Sequence, residues 1–334
     1  MKSALVFSTL CLALAAGGAA GAEGKAHPGA EIVRYAGYDD CIRLFNSTTQ
    51  VVLCPAAGGR VLDYSLDGRN VLYRDPAQDG WTYTPGERAP DPCGGRCDIG
   101  PEMVVPRHPN LWLGRWQGVI TGPRAARLTS VPDPATGVQL VRHFALDART
   151  SRLRFTQTIR NVSNEKKEWC HWSRTLAVGN GICVVPLNPR SRFPNGFLLY
   201  GPGPVMNYRP EPEPNIRLRD GFLEIAGPPS QPKFGIDSIA GWLGYVTRDN
   251  ILFAKRFPVY PDRVYNEMAA YTVSIYYFKE QMCELEPIGP RGNIRPGGSE
   301  SFTEEWWLFP YAFPKEGEAL DLKALERFVL TRTR

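Results

Sequence analysis

The chain has 334 residues, 43% of them hydrophobic, with 33 glycines, 30 prolines and a formal net charge of +5. So much apolar content excludes a disordered chain, and so many breakers exclude a helical bundle or helical solenoid. A positive charge this mild and scattered excludes a nucleic-acid binder.

Residues 1–22 read as a secretory signal peptide: Lys2, an apolar run over 4–16, then the small residues Ala20-Gly21-Ala22. The run is too short for a membrane span, and no later stretch reaches about 18 apolar residues. The expectation is an exported protein, periplasmic or extracellular, whose mature part is 23–334. Export permits disulfides. Beyond Cys11 stand Cys41, Cys54, Cys93, Cys97, Cys170, Cys183 and Cys283, an odd number that leaves at least one thiol free or paired between chains.

From Glu31 onward strand follows strand. Residues 41–45 and 50–54 form a hairpin around the turn Asn46-Ser47-Thr48-Thr49. In that register Cys41 faces Cys54, and a disulfide between them is expected. Alternating, β-branched or aromatic patterns predict further strands over 60–66, 118–121, 138–146, 153–161, 168–178 and 182–186. They recur over 241–247, 251–257, 271–278, 282–286 and 301–309. With no helices between them, these strands should pair antiparallel. Residues 75–110 and 186–214 show no strand pattern, and loops that long are usually functional. Cys93-Gly-Gly-Arg-Cys97 closes a small loop or forms half a zinc site. No second pair stands at ligand spacing, so no metal is expected, and no dinucleotide or phosphate-loop motif calls for a cofactor. One helix is predicted, over about 317–331, with Leu320, Ala324, Leu325, Phe328 and Val329 on one face. No linker or repeat divides the chain. The fold expected is all-β, one large antiparallel β-sandwich domain over 23–334 closed by that helix.

Several segments carry a resemblance. They are Cys54-Pro-Ala-Ala-Gly-Gly-Arg-Val-Leu-Asp-Tyr64, Cys97-Asp-Ile-Gly-Pro-Glu102, and Ile159-Arg-Asn-Val-Ser-Asn164 followed by Glu168-Trp-Cys-His-Trp-Ser173. Further on come Lys233-Phe-Gly, Ala240-Gly-Trp242, Tyr260-Pro-Asp262, Cys283-Glu-Leu-Glu-Pro287, Arg295-Pro-Gly-Gly-Ser299 and Glu305-Trp-Trp-Leu308. In order and spacing they resemble the galactose-mutarotase-like (aldose-1-epimerase-like) superfamily, and within it an uncharacterised bacterial branch of unknown function. The resemblance implies the galactose-mutarotase-like supersandwich and a carbohydrate ligand, a hexose or a uronic acid.

Anomer interconversion needs a carboxylate to take the proton from the anomeric hydroxyl and a donor to protonate the ring oxygen. His171 follows the Asn161-x-Ser163 strand as the superfamily's acid histidine does, and is the donor candidate. The register leaves Trp172 as the alternative at that position, and a half-buried histidine beside two tryptophans is the plainer reading. Glu286, before Pro287 and the final hairpin, matches the superfamily's base. Glu284 stands two residues earlier on the same face, so the two carboxylates should split in pKa unless an arginine intervenes. Arg96, Glu102 and His108 fall where mutarotases bind sugar hydroxyls, although the Leu-His-Gly-Gly segment of those enzymes is absent. Lys233 and Asp262 match superfamily positions and complete the substrate-binding set. Trp81, Tyr83, Trp112 and Trp116 would suit a glycan cleft by stacking on sugar C–H faces, or else simply pack the core.

Three functions follow from these residues. One is an exported mutarotase or epimerase, an isomerase working through a His171/Glu286 proton relay. Another is a carbohydrate-binding protein that has lost the relay. The third is an envelope scaffold, which would show an exposed apolar patch and no concave polar cleft.

Overall fold

The computed structural model describes residues 27–201 and 205–334. The segment read as a signal peptide lies outside them. Among the described residues, twelve strands form one antiparallel sheet and ten form a second. The first sheet runs Ala30–Tyr35, Tyr38–Phe45, Thr49–Cys54, Arg60–Leu66, Gly95–Gly100, Cys170–Val178, Met282–Pro287, Val273–Phe278, Lys233–Ile236, Phe197–Tyr200 and Met206–Asn207, with Arg69–Asn70 beside Arg60–Leu66. The second runs Ile216–Arg219, Phe222–Ile225, Ile182–Pro186, Trp242–Val246, Ile251–Arg256, Ser299–Pro310, Leu153–Asn161, Val138–Leu146, Ala125–Thr129 and Gln117–Gly122. The sheets pack face to face as the expected antiparallel sandwich, and Leu53, Ile99, Phe155, Phe253, Leu285 and Trp306 meet in one core between them.

Burial separates two kinds of strand. Leu153–Asn161 alternates buried and open positions, as a strand with one solvated face does. The central strands Gly95–Gly100 and Met282–Pro287 are buried at every position, and Cys170–Val178 at all but its last. One face of these strands meets the second sheet, and long connections cover the other. The stretch 75–110, expected to lack strands, thus holds a central strand of the sheet. The stretch 186–214 likewise contributes Phe197–Tyr200 and Met206–Asn207.

The inter-sheet layer contains charges that are paired or hydrogen-bonded within it. Lys255 is completely buried, 2.8 Å from Glu304, and donates to the Ser173 and Thr175 hydroxyls at 2.9 Å. Arg142 donates to the carbonyls of Gly58 and Gly59, both at 2.7 Å, and to that of Cys97. The glycine pair is required here. Both residues have positive φ, and a Cβ on Gly58 would lie 2.1 Å from the Trp112 carbonyl oxygen.

The terminal helix spans Leu322–Arg332 and is capped by Asp321, whose carboxylate accepts from the Ala324 N–H at 2.8 Å. Leu322, Leu325 and Val329 bury against Val184, Trp242, Leu252 and Trp307 on the outer face of the ten-stranded sheet. No helix of the described residues is long and apolar enough to cross a membrane.

The hairpin register pairs Ile42 with Leu53 and so sets Cys41 opposite Cys54, and both are fully buried. Both are free thiols in this structure rather than the expected bridge. Cys183 and Cys283, from the two sheets, are buried in the core between them.

Candidate functional site

Strand alternation decides which side chains reach the open side of the twelve-stranded sheet. On Cys170–Val178, Trp172 and Arg174 point that way, while His171, Ser173 and Thr175 point between the sheets. His171 therefore lies in the inter-sheet layer and not in the cleft, which corrects its place as proton donor. Its ring stacks on Phe302 (centroids 5.7 Å apart, planes at 21°), Nδ1 lies 3.4 Å from the Gln157 amide, and Nε2 has no partner. Burial, reinforced by the positive charge of Arg263 and opposed by a backbone hydrogen bond, pushes its pKa down to about 3. Such a ring is neutral near pH 7. The residue that occupies the expected position is Trp172, one step along the strand.

Trp172 donates through Nε1 to Oε1 of Glu286 at 3.0 Å. Arg174 donates through Nε to Oε1 of Glu284 at 2.8 Å and lies 3.8 Å from Glu286. An arginine therefore does intervene, and it favours Glu284. Glu286 is completely buried and its Oε2 has no partner. Burial first, and then the negative charge of Glu284, raise its pKa to about 8 against the opposing pull of Lys233 and Arg174. At neutral pH Glu286 is thus mainly the protonated acid.

Lys233 completes the row. Its ammonium pairs with the Glu102 carboxylate and lies 5.1 Å from the Trp172 ring centre and 5.2 Å from that of Tyr200. Burial would lower its pKa, but Glu286 and Glu102 more than offset this and raise it. Behind Glu102 sits Glu267, a buried carboxyl that accepts from the Glu102 N–H at 2.8 Å. Burial lifts its pKa to about 7.

The cleft above this row has a volume of roughly 820 Å³ and is lined by Tyr83, Asp91, Glu102, His108, Trp112 and Trp172 among others. His108 accepts no further role easily, because both ring nitrogens are engaged: Nε2 with Asp98 at 2.9 Å and Nδ1 with the Pro106 carbonyl at 2.7 Å. Burial opposes its charge, but Asp98 raises its pKa to about 9, so it is an imidazolium bracing the wall. Arg96 is buried below the wall, donating to the Pro92 carbonyl at 2.7 Å and to Asp91 at 3.3 Å. Asp262 lies exposed on the connection before Val273–Phe278 and makes no ion pair or hydrogen bond with the charged row, so it does not join the other substrate-binding candidates. Among the described residues no three His, Cys, Asp or Glu side chains group as metal ligands. Another concavity, of roughly 830 Å³ between Pro228–Pro232 and the turn at Phe278–Gln281, lies away from the charged row.

The structure thus brings Glu284, Glu286, Lys233, Glu102, His108 and Arg96, all candidates from the sequence, to one region, and adds Arg174, Asp91, Asp98 and Glu267. The signal for Arg174 was its even spacing from Trp172 on one strand. For Asp91 and Glu267, both on irregular connections, sequence holds no comparable signal.

No family model matches the chain, and no curated protein matches it in sequence. Solved structures do match. A galactose mutarotase-like protein of Lactobacillus casei superposes with a TM-score of 0.55 at 10% identity, covering 80% of this chain and 100% of its own. A galactose mutarotase-like protein of Clostridium acetobutylicum gives a TM-score of 0.54 at 11% identity, covering 85% and 99%. A candidate aldose 1-epimerase of Escherichia coli K12 gives 0.54 at 12% identity, covering 80% and 98%. At such identities the likeness is one of fold: this chain has the galactose-mutarotase-like sandwich.

Proposed function

We propose that the protein is an exported carbohydrate-binding protein whose sugar lies in the cleft over Trp172. One observation carries the reading. Trp112, Trp172 and Tyr83 line a roughly 820 Å³ cleft together with the charged groups Asp91 and Glu102, a mixture of aromatic and charged lining suited to a sugar. The scaffold alternative expects no concave polar cleft, and this one counts against it. With His171 turned into the inter-sheet layer, the relay expected of an isomerase lacks its donor.

A second reading is favoured by one residue. Glu286 combines a partnerless buried oxygen with a pKa raised to about 8, a combination common at acid–base sites. In that reading ionised Glu286 takes the proton from the anomeric hydroxyl, Lys233 protonates the ring oxygen, and the rate climbs as pH rises through 8.

Calorimetry across hexoses and uronic acids, paired with polarimetry of freshly dissolved α-anomers, separates the two. We expect binding by the wild type and by Glu286→Gln, with no acceleration of mutarotation by either. Acceleration by the wild type that falls about 10²–10⁴-fold in Glu286→Gln, the usual scale for a general acid–base group, establishes the isomerase instead. No binding of any sugar removes both readings.

A further inference from the structure

Two guanidinium groups at the back of the cleft have donors to spare. Arg96 and Arg174 lie 4.7 and 4.6 Å from the ring centre of Trp112, which fixes their planes. Their side chains are 0% and 9% exposed. Nε of Arg96 and Nη1 of Arg174 are nevertheless buried without any partner. Two carboxylates accept hydrogen bonds from these cations, and they are of very different standing. Glu284 is buried and held at 2.8 Å by Arg174. Asp91 comes from the irregular connection that lines the cleft, its side chain is 56% exposed, and it meets Arg96 and Arg174 only at 3.3 and 3.4 Å. Those are long contacts for charge-assisted hydrogen bonds, which normally close to about 2.7–2.9 Å.

We infer that Arg96 and Arg174 form the subsite for the carboxylate of a sugar acid, and that Asp91 occupies this subsite in the unliganded protein. The inference rests on the carbohydrate reading above and narrows its ligand to a uronic acid. When Asp91 swings out, Glu284 is the one carboxylate still hydrogen-bonded to the pair, and Nη2 of Arg96 loses its acceptor beside the cleft. A planar ligand carboxylate matches the fork of donors that Asp91 fills poorly. A neutral hexose has no group to replace Asp91, so it leaves the pair as it is. The bound loop carboxylate therefore acts as a competitor that sets the affinity for acids alone.

The test is calorimetry on the full chain with galacturonate, glucuronate, galactose, glucose and glucose 6-phosphate, for the wild type and Asp91→Asn. Asparagine keeps the shape of Asp91 and removes its charge. We expect the uronates to bind more tightly than the matching hexoses. Asp91→Asn should tighten uronate binding about tenfold or more, the scale of one charge-assisted contact, and so widen the ratio of uronate to hexose affinity by about that factor; an unchanged ratio overturns the inference. Arg96→Gln, made in parallel, should lose the uronate preference, read as the ratio of uronate to hexose affinity in the same protein. Equal binding of uronates and hexoses by both proteins overturns the inference and leaves the carbohydrate reading standing. Preference for glucose 6-phosphate over both uronates overturns the carboxylate assignment. Absence of binding by every sugar overturns the carbohydrate reading and this inference with it.

Discussion

Replacing His171 by glutamine tests the placement of that ring through the pH dependence of stability. In the folded protein His171 lies between the sheets, against Phe302 and Gln157, with a pKa of about 3 in place of the ordinary 6.5. The folded value is depressed, so the neutral ring contributes stability that is complete above about pH 6.5 and is lost as pH falls toward 3. In that interval the unfolded chain binds a proton that the folded chain refuses. The slope approaches about 1.4 kcal/mol per pH unit, and the full loss is on the order of 5 kcal/mol. Other groups titrate in the same range. Glu267 and Glu286 have raised values and act in the opposite sense, adding stability as pH falls toward their unfolded values. The difference between wild type and variant removes their contribution. Urea unfolding at pH 6.5, 5.5 and 4.5 should show His171→Gln losing less stability on acidification than the wild type, by roughly 2 kcal/mol over that span. At pH 6.5 the variant should be the weaker protein by about 1 kcal/mol, for its lost stacking on Phe302. Parallel stability curves for the two proteins would refute a buried, neutral His171. They would return it to the list of groups able to serve a ligand.

Two further predictions concern the framework. Cys41 and Cys54 should be found joined when the protein is recovered from an oxidising compartment, because the hairpin register already sets them face to face. Non-reducing peptide mapping that recovers both as alkylatable thiols would refute this. Leu325→Ala should cost about 2–4 kcal/mol in urea unfolding, since the side chain is completely buried between the terminal helix and the ten-stranded sheet. A loss below about 1 kcal/mol would mean that the helix contributes little to the sandwich.

The outer strands were legible because water reaches one of their faces. Val138–Leu146 and Leu153–Asn161 alternate in burial, so their residue pattern marks both their existence and their limits. The strand Gly95–Gly100 was not legible. It carries Gly-Arg-Cys-Asp-Ile-Gly, low in β-branched residues, with a glycine where a side chain would collide with Trp306. A Cβ on Gly95 would lie 2.8 Å from that ring. Its place in the sheet is imposed by Val61 on one side and by Cys170–Val178 on the other, long-range partners that no local window contains.

The candidate site was half legible for the same reason. A strand covered on both faces offers no solvent side to fix its register, and an error of one residue exchanges every side chain between core and cleft. On Cys170–Val178 that error separates His171 from Trp172. Yet the strand does record its orientation in side-chain size. The positions facing the second sheet are His171, Ser173, Thr175 and Ala177, small or satisfied by Lys255 and Gln157, because the sheets must close on one another. The positions facing the cleft are Trp172 and Arg174, bulky groups for which the loops leave room. Large polar side chains at even spacing on a strand of otherwise small residues thus point away from the tightest packing. The same rule on Gly95–Gly100 selects Arg96 and Asp98, the two residues that pair across the strands with Arg174 and Trp172. Asp91 stands outside that rule, because its irregular connection has no period, and yet it decides whether Arg96 and Arg174 meet the protein's own carboxylate or a ligand's.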